Sequence, residues 1–174
     1  MYYFGYGSNM LIAKLKGRCS SAKKIEASKD SQFMIRKHQF WFRKKSADGS
    51  SKGDIEETDD TNDIVYGVLF KIDDDQKPAL DHFEGKGKGY DEKSVLVIDE
   101  KLEDEETPND VFAQTYYATD IDFNLEPYDW YKRQTVQGAQ DNRLPERYIK
   151  RIESFEAKID DNDKRKRKEE KYFE

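Results

Sequence analysis

The ten residues MYYFGYGSNM at the start of the chain limit the fold more than any other stretch. Tyr2, Tyr3 and Phe4 read as a short buried strand, and Gly5, Tyr6, Gly7, Ser8 and Asn9 follow at once as a turn of glycines and small polar groups. Leu11, Ile12 and Leu15 then have helical spacing that stops at Gly17. A strand, a tight glycine turn and a helix start bring free backbone N–H groups to one place, which suits an oxygen anion such as a carboxylate or a polarised carbonyl.

The rest of the chain must build a core around that turn. At 174 residues it is long enough for one domain and short for two. A charged fraction of 39% implies a very polar exterior, while ten phenylalanines and eleven tyrosines supply the interior. The net charge of -6 gives no general attraction to nucleic acid or to an anionic membrane. Cys19 is the sole cysteine, which rules out a disulfide framework or a cysteine metal cluster, and His38 and His82 are too isolated for a metal reading. Neither a signal peptide nor a membrane span is predicted, and the expected location is cytoplasmic.

Strands are expected around Phe33–Ile35 and Gln39–Phe42 on the margin of a sheet, a central strand over Ile64–Ile72, and others over Ser94–Ile98 and Val111–Thr119. Residues 45–63 have almost no apolar content and read as a mobile surface excursion, interrupted by a short strand at Ile55. Residues 99–110 read as an acidic loop. The segment after Asp73–Asp75 predicts a helix carrying Leu80 and Phe83, ending at Glu84 before glycines 85, 87 and 89. A helix from Tyr131 through Val136, broken near Gly138, precedes a second one opened by Pro145 with Tyr148, Ile149, Ile152 and Phe155 on its apolar face. The domain is expected over 1–158, with 159–174 a charged tail. Its basic run 164–168 is flanked by acids and has no interleaved aromatic, which favours a frayed helix end over a nucleic-acid patch.

Taken in order, Tyr6–Asn9 (YGSN), Leu80–Gly85 (LDHFEG) continued by Lys88–Gly89–Tyr90, Thr115–Ala118 (TYYA), and the string Tyr131, Gly138–Ala139, Leu144–Pro145, Tyr148–Ile149 resemble the gamma-glutamylcyclotransferase family, which includes AIG2-like and gamma-glutamylamine cyclotransferase-like proteins. The resemblance covers roughly residues 1–155. It implies an α+β fold, a small mixed β-barrel with surrounding helices, with a pocket between the opening turn and the glutamate-bearing segment. It also implies an enzyme in which a gamma-glutamyl alpha-amine attacks its own gamma-carbonyl, giving 5-oxoproline and a free amine or amino acid. By motif the catalytic acid/base is Glu84; Tyr6, Gly7, Ser8 and Asn9 cradle the substrate, and the pocket tyrosines are Tyr90, Tyr116 and Tyr131. The substrate is a gamma-glutamyl small molecule, without cofactor, metal, nucleic acid or membrane partner; a homodimer rests on analogy alone.

Elementary chemistry is compatible with that placement. An ammonium is a poor nucleophile and an amide nitrogen a poor leaving group, so one carboxylate in reach of both nitrogens can shuttle a single proton. Ring closure within one molecule needs only a folded-back glutamyl group. The turn N–H groups face either the substrate alpha-carboxylate or the developing oxyanion; sequence leaves both open. Other readings stand beside these: Glu84 as a solvated helix-end residue, Gly5 and Gly7 as turn formers only, and Tyr116 as core rather than pocket. Ser8 has no evident His or Asp relay. Lys86 and Lys88 either sit at the pocket mouth and favour an acidic group on the leaving amine, or lie in solvent. The competing class is a binding or interaction module on the same fold without turnover. Free gamma-glutamyl amino acids, gamma-glutamyl-lysine, carrier-bound intermediates and glutathione all fit the chemistry.

Overall fold

The densest apolar run, residues 64–70, must be covered on both faces, and only a closed or layered sheet does that. A computed structural model describes residues 1–102 and 110–173. Its strands are β1 (Tyr2–Gly5), β2 (Lys23–Lys24), β3 (Phe33–Arg36), β4 (His38–Lys45), β5 (Ser51–Glu57), β6 (Ile64–Lys71), β7 (Tyr90–Asp99) and β8 (Val111–Ala118). Its helices are α1 (Ile12–Lys16), α2 (Lys77–Glu84), α3 (Asp129–Asp141), α4 (Glu146–Glu153) and α5 (Asp163–Glu170). The part of the acidic loop expected over 99–110 that falls on residues 103–109 lies outside the described residues.

Five strands close on themselves. β6 pairs antiparallel with β1 and β3, β3 with β7, and β7 with β8. A parallel contact between Tyr3 and Gln114 joins β8 back to β1, giving a mixed barrel, with β2 added along β6. The fold is α+β. Gly67 lies hard against β1: a Cβ there would sit 2.6 Å from the Gly5 carbonyl oxygen and 2.6 Å from the Phe4 ring. A side chain at this position would therefore block the close approach of β1 to β6.

Two expectations for the first half of the chain are corrected. Phe33–Ile35 lie within the ring between β6 and β7 rather than on a margin, and all three are buried. Residues 45–63 are largely ordered by β5, which pairs with β4 from His38↔Glu57 to Lys45↔Ser51 across a bulge between Phe42 and Lys44. The polar composition misleads because several polar groups of the hairpin are buried against partners rather than solvated. Arg43 Nε donates to Asp54 Oδ2 at 2.7 Å, the Ala118 N–H of β8 donates to Asp54 Oδ1 at 2.7 Å, and the Ser51 N–H donates to the Glu126 carbonyl. The hairpin is thereby fastened to the barrel wall.

The helices depart from expectation at Gly138 and at the C-terminus. α3 runs unbroken through Gly138, because this glycine is a packing site rather than a breaker: a Cβ there would lie 2.7 Å from Met10 Cβ and 3.2 Å from the Leu11 nitrogen. Asn142 Nδ2 reinforces the same contact by donating to the Met10 carbonyl at 3.0 Å. Gly138→Ala is expected to destabilise the fold by about 1–3 kcal/mol through overpacking, read as a lower urea midpoint with an unchanged slope. At the C-terminus, the expected frayed end is replaced by α5. Asn162 caps it by accepting from the Arg165 N–H at 3.0 Å. The buried Asp160 carboxylate accepts from Trp130 Nε1 on α3 at 2.8 Å and from two Arg165 nitrogens at 2.6 Å each. Those Arg165 bonds hold the Asp160 carboxyl well below the usual range.

Candidate active site

The turn after β1 tightens into a single 3-10 turn over Ser8–Met10, with the Met10 N–H donating to the Gly7 carbonyl. It buries the Asn9 side chain, which becomes a junction. Asn9 Nδ2 donates to Tyr3 Oη at 2.9 Å and to Glu84 Oε1, while Asn9 Oδ1 accepts from Arg18 Nη1 at 2.9 Å. Arg18 Nη1 also lies 3.3 Å from Glu84 Oε1.

Glu84 reaches this junction because α2 ends there. Pro78 in the first turn starts the helix, and Gly85, at φ 74, turns the chain out of it immediately after Glu84. The Glu84 side chain is only 14% exposed. Both of its named contacts fall on Oε1; among the described residues Oε2 has none.

A cavity of about 280 Å³ opens at this junction. Tyr6, Gly7, Ser8 and Asn9 form one part of its wall, and Glu84, Tyr90, Tyr116 and Tyr131 another. The structure thus brings all eight expected residues to one cavity. Tyr116 is both buried and part of the lining; its Oη donates to Asp81 Oδ1 at 2.6 Å, and its carbonyl accepts from Tyr6 Oη at 2.6 Å. Tyr90 Oη donates to the Gly53 carbonyl, and the Gly53 N–H donates to Tyr131 Oη at 3.1 Å, so one hairpin residue fixes two of the tyrosines. Burial holds the hydroxyls of Tyr3, Tyr6, Tyr90 and Tyr131 above the usual phenol range, which keeps them hydrogen-bond donors rather than bases.

Sequence reasoning missed the basic side of the cavity. Lys14, Arg18, Lys44, Lys52 and Arg165 all line it, and three of them come from the hairpin or the C-terminal helix. No local pattern marks them as one group, because they come from α1 and its end, the β4–β5 hairpin and α5, which only the fold brings together. Lys14 Nζ contacts Gln134 Oε1 on α3 and Glu169 Oε2 on α5, the latter at 3.2 Å. Burial, with a smaller contribution from Arg18, lowers the Lys14 ammonium to about 8, partly offset by Glu169. By contrast Lys86 is engaged with Glu92, and neither it nor Lys88 lines the cavity.

The five-stranded mixed barrel thus sets its glycine turn and its helix-end carboxylate on one cavity. The AIG2-like family matches residues 64–152, and the chain belongs to that family. The gamma-glutamylcyclotransferase of Homo sapiens is 26% identical over 163 residues, covering 88% of this chain and 78% of that protein, and the Bos taurus enzyme of the same name is equally similar. Among solved structures, a gamma-glutamyl cyclotransferase superposes with a TM-score of 0.78 at 22% identity, covering 98% of both chains. A yeast gamma-glutamyl cyclotransferase specific to glutathione superposes with a TM-score of 0.60 at 12% identity, covering 87% of this chain and 93% of that one. At these identities the structural matches speak for the fold. Among the described residues, no helix is long and apolar enough to cross a membrane.

Proposed function

We propose that the chain is a gamma-glutamyl cyclotransferase, with Glu84 as the single acid/base. The observation that carries this reading is the asymmetric anchoring of Glu84. Asn9 and Arg18 hold Oε1, which fixes the carboxylate against the Gly5–Asn9 turn and leaves Oε2 to a substrate in the cavity.

In this mechanism Oε2 takes a proton from the glutamyl alpha-ammonium. The freed nitrogen attacks the gamma-carbonyl carbon, forming the ring C–N bond and pushing the carbonyl electrons onto oxygen. Collapse of that tetrahedral oxyanion breaks the original amide C–N bond as Glu84 returns the proton to the departing nitrogen, and the surplus proton on the new ring nitrogen passes to the released amine, which leaves as its ammonium form. The products are 5-oxoproline and a free amine, with no water consumed and no net proton released by the carboxylate. Pocket tyrosines and the backbone of the opening turn supply donors for the substrate carboxylate or for the oxyanion, positions where one donor is worth about 3 kcal/mol.

The test is a stoichiometry. Incubation with gamma-glutamyl amino acids, gamma-glutamyl-lysine and glutathione is expected to give 5-oxoproline and free amine in equal amounts from at least one of them. Release of glutamate instead of 5-oxoproline would point to hydrolysis, and no product from any substrate would leave a binding protein on this fold.

A further inference from the structure

The cavity gathers five basic side chains in a chain whose net charge is -6. Four of them are already committed. Arg18 serves Glu84 and Asn9; Lys14 serves Gln134 and Glu169; Lys52 Nζ lies 2.8 Å from Asp48 Oδ2; and Arg165 grips Asp160 with two bonds.

Lys44 differs from these. Its ammonium stands 4.9 Å from the centroid of the Tyr90 ring and, among the described residues, makes no ion pair. The residue is half-buried, and burial pushes its ammonium below the ordinary lysine range. Asp120, Asp48 and Glu84 offset that burial only in part and from beyond ion-pair distance, and the face of the Tyr90 ring adds a further partial offset. The local backbone nevertheless keeps it there. The bulge after Phe42 sets the register of the end of β4, and Gly89, at φ 101, leaves room for the side chain: a Cβ at that position would sit 3.0 Å from Lys44 Cε and 3.2 Å from Nζ.

We propose that Lys44 is a specificity-determining residue that receives a carboxylate carried by the leaving amine, so that the site selects anionic leaving groups over neutral or cationic ones. The inference rests on the cyclotransferase reading of the same cavity. The leaving side is assigned because the reacting corner already has its own cation: Arg18 is tied to both Glu84 and Asn9, whereas Lys44 belongs to the hairpin and contacts Tyr90 instead. A carboxylate at Lys44 would form a charge-assisted hydrogen bond and give the ammonium the direct ion pair that Asp120, Asp48 and Glu84 do not make with it.

The experiment compares gamma-glutamyl-alanine, its C-terminal amide and gamma-glutamyl-ethylamine. It uses kcat/KM for the unmodified protein, Lys44→Met and Lys44→Arg, and calorimetric binding of the same compounds to Glu84→Gln with and without Lys44→Met. The acid is expected to be preferred over both neutral compounds by about tenfold to a hundredfold in each readout. That preference should vanish with methionine and largely return with arginine. Equal use of acid and amide by the unmodified protein would overturn the proposal. So would a Lys44→Met loss that is the same for all three compounds, which would place Lys44 at the glutamyl end. If nothing is turned over but the acid is still bound preferentially through Lys44, the selectivity stands and the cyclotransferase reading falls. If nothing is bound or turned over, both fall.

Discussion

Glu84→Gln is expected to lower kcat for a gamma-glutamyl substrate by about 10² to 10⁴-fold, with KM changed far less, while the protein remains folded. The substitution keeps the shape of the side chain, and its carbonyl oxygen still accepts from Asn9 and Arg18 as Glu84 Oε1 does. What it removes is the second oxygen's ability to take and return a proton. Because substrate contacts from the opening turn and the tyrosines are untouched, ground-state binding survives. The Arg18–Glu84 pair is partly solvated, with side chains 24% and 14% exposed, so its loss should cost about 1 kcal/mol or less. Single-turnover kinetics alongside a thermal melt separate the two effects. A variant that keeps activity within tenfold of the original would remove Glu84 from the chemistry, and a collapsed melting transition would show that its role is structural.

The parts of this site that were legible in the sequence are those set by local rules. A strand running into Gly5–Asn9 can only turn, and three glycines after Glu84 can only end a helix there. The meeting of these two places is not local: Asn9 and Glu84 are 75 residues apart, and only barrel closure brings them together. Ordered motifs stood in for that closure. The basic wall had no such substitute. Lys52 sits in a stretch whose low apolar content resembles a solvated loop, and Lys44 just precedes it; composition cannot distinguish polar groups facing water from polar groups buried against one another. Gly138 misled for a related reason. Propensity treats a mid-helix glycine as a cost of about 1 kcal/mol, but here Met10 occupies the space a side chain would need. The C-terminal helix was hidden by its charge, since its anchoring depends on Asp160 and Glu169 finding partners on α3 and α1.

Asp54→Ala is expected to be the most damaging change outside the reacting corner, costing about 3 kcal/mol of stability and disabling the cavity as well. The Asp54 carboxylate is 1% exposed and joins two elements: one oxygen accepts from Arg43 Nε within the hairpin, and the other from the Ala118 N–H at the end of β8. Removing it leaves a buried guanidinium whose remaining ion pair among the described residues is with the more exposed Glu56, at 3.2 Å, beside the Phe123 ring, and a backbone donor without its partner. The hairpin would then be free to lift from β8. Gly53 is the adjacent residue and holds both Tyr90 and Tyr131, so that movement would unfasten two cavity tyrosines together with the Lys44 position. Chemical denaturation should show a lower midpoint, and amide exchange should quicken across β4 and β5 before it does in the barrel strands. Asp54→Asn separates charge from shape: it can still accept from Ala118, so it should recover part of the stability while leaving Arg43 without its full counter-charge. If Asp54→Ala retains the parent midpoint and cavity binding, the polar suture is incidental, and the hairpin must be held instead by Phe40 and Phe42 against Phe155 and Tyr131.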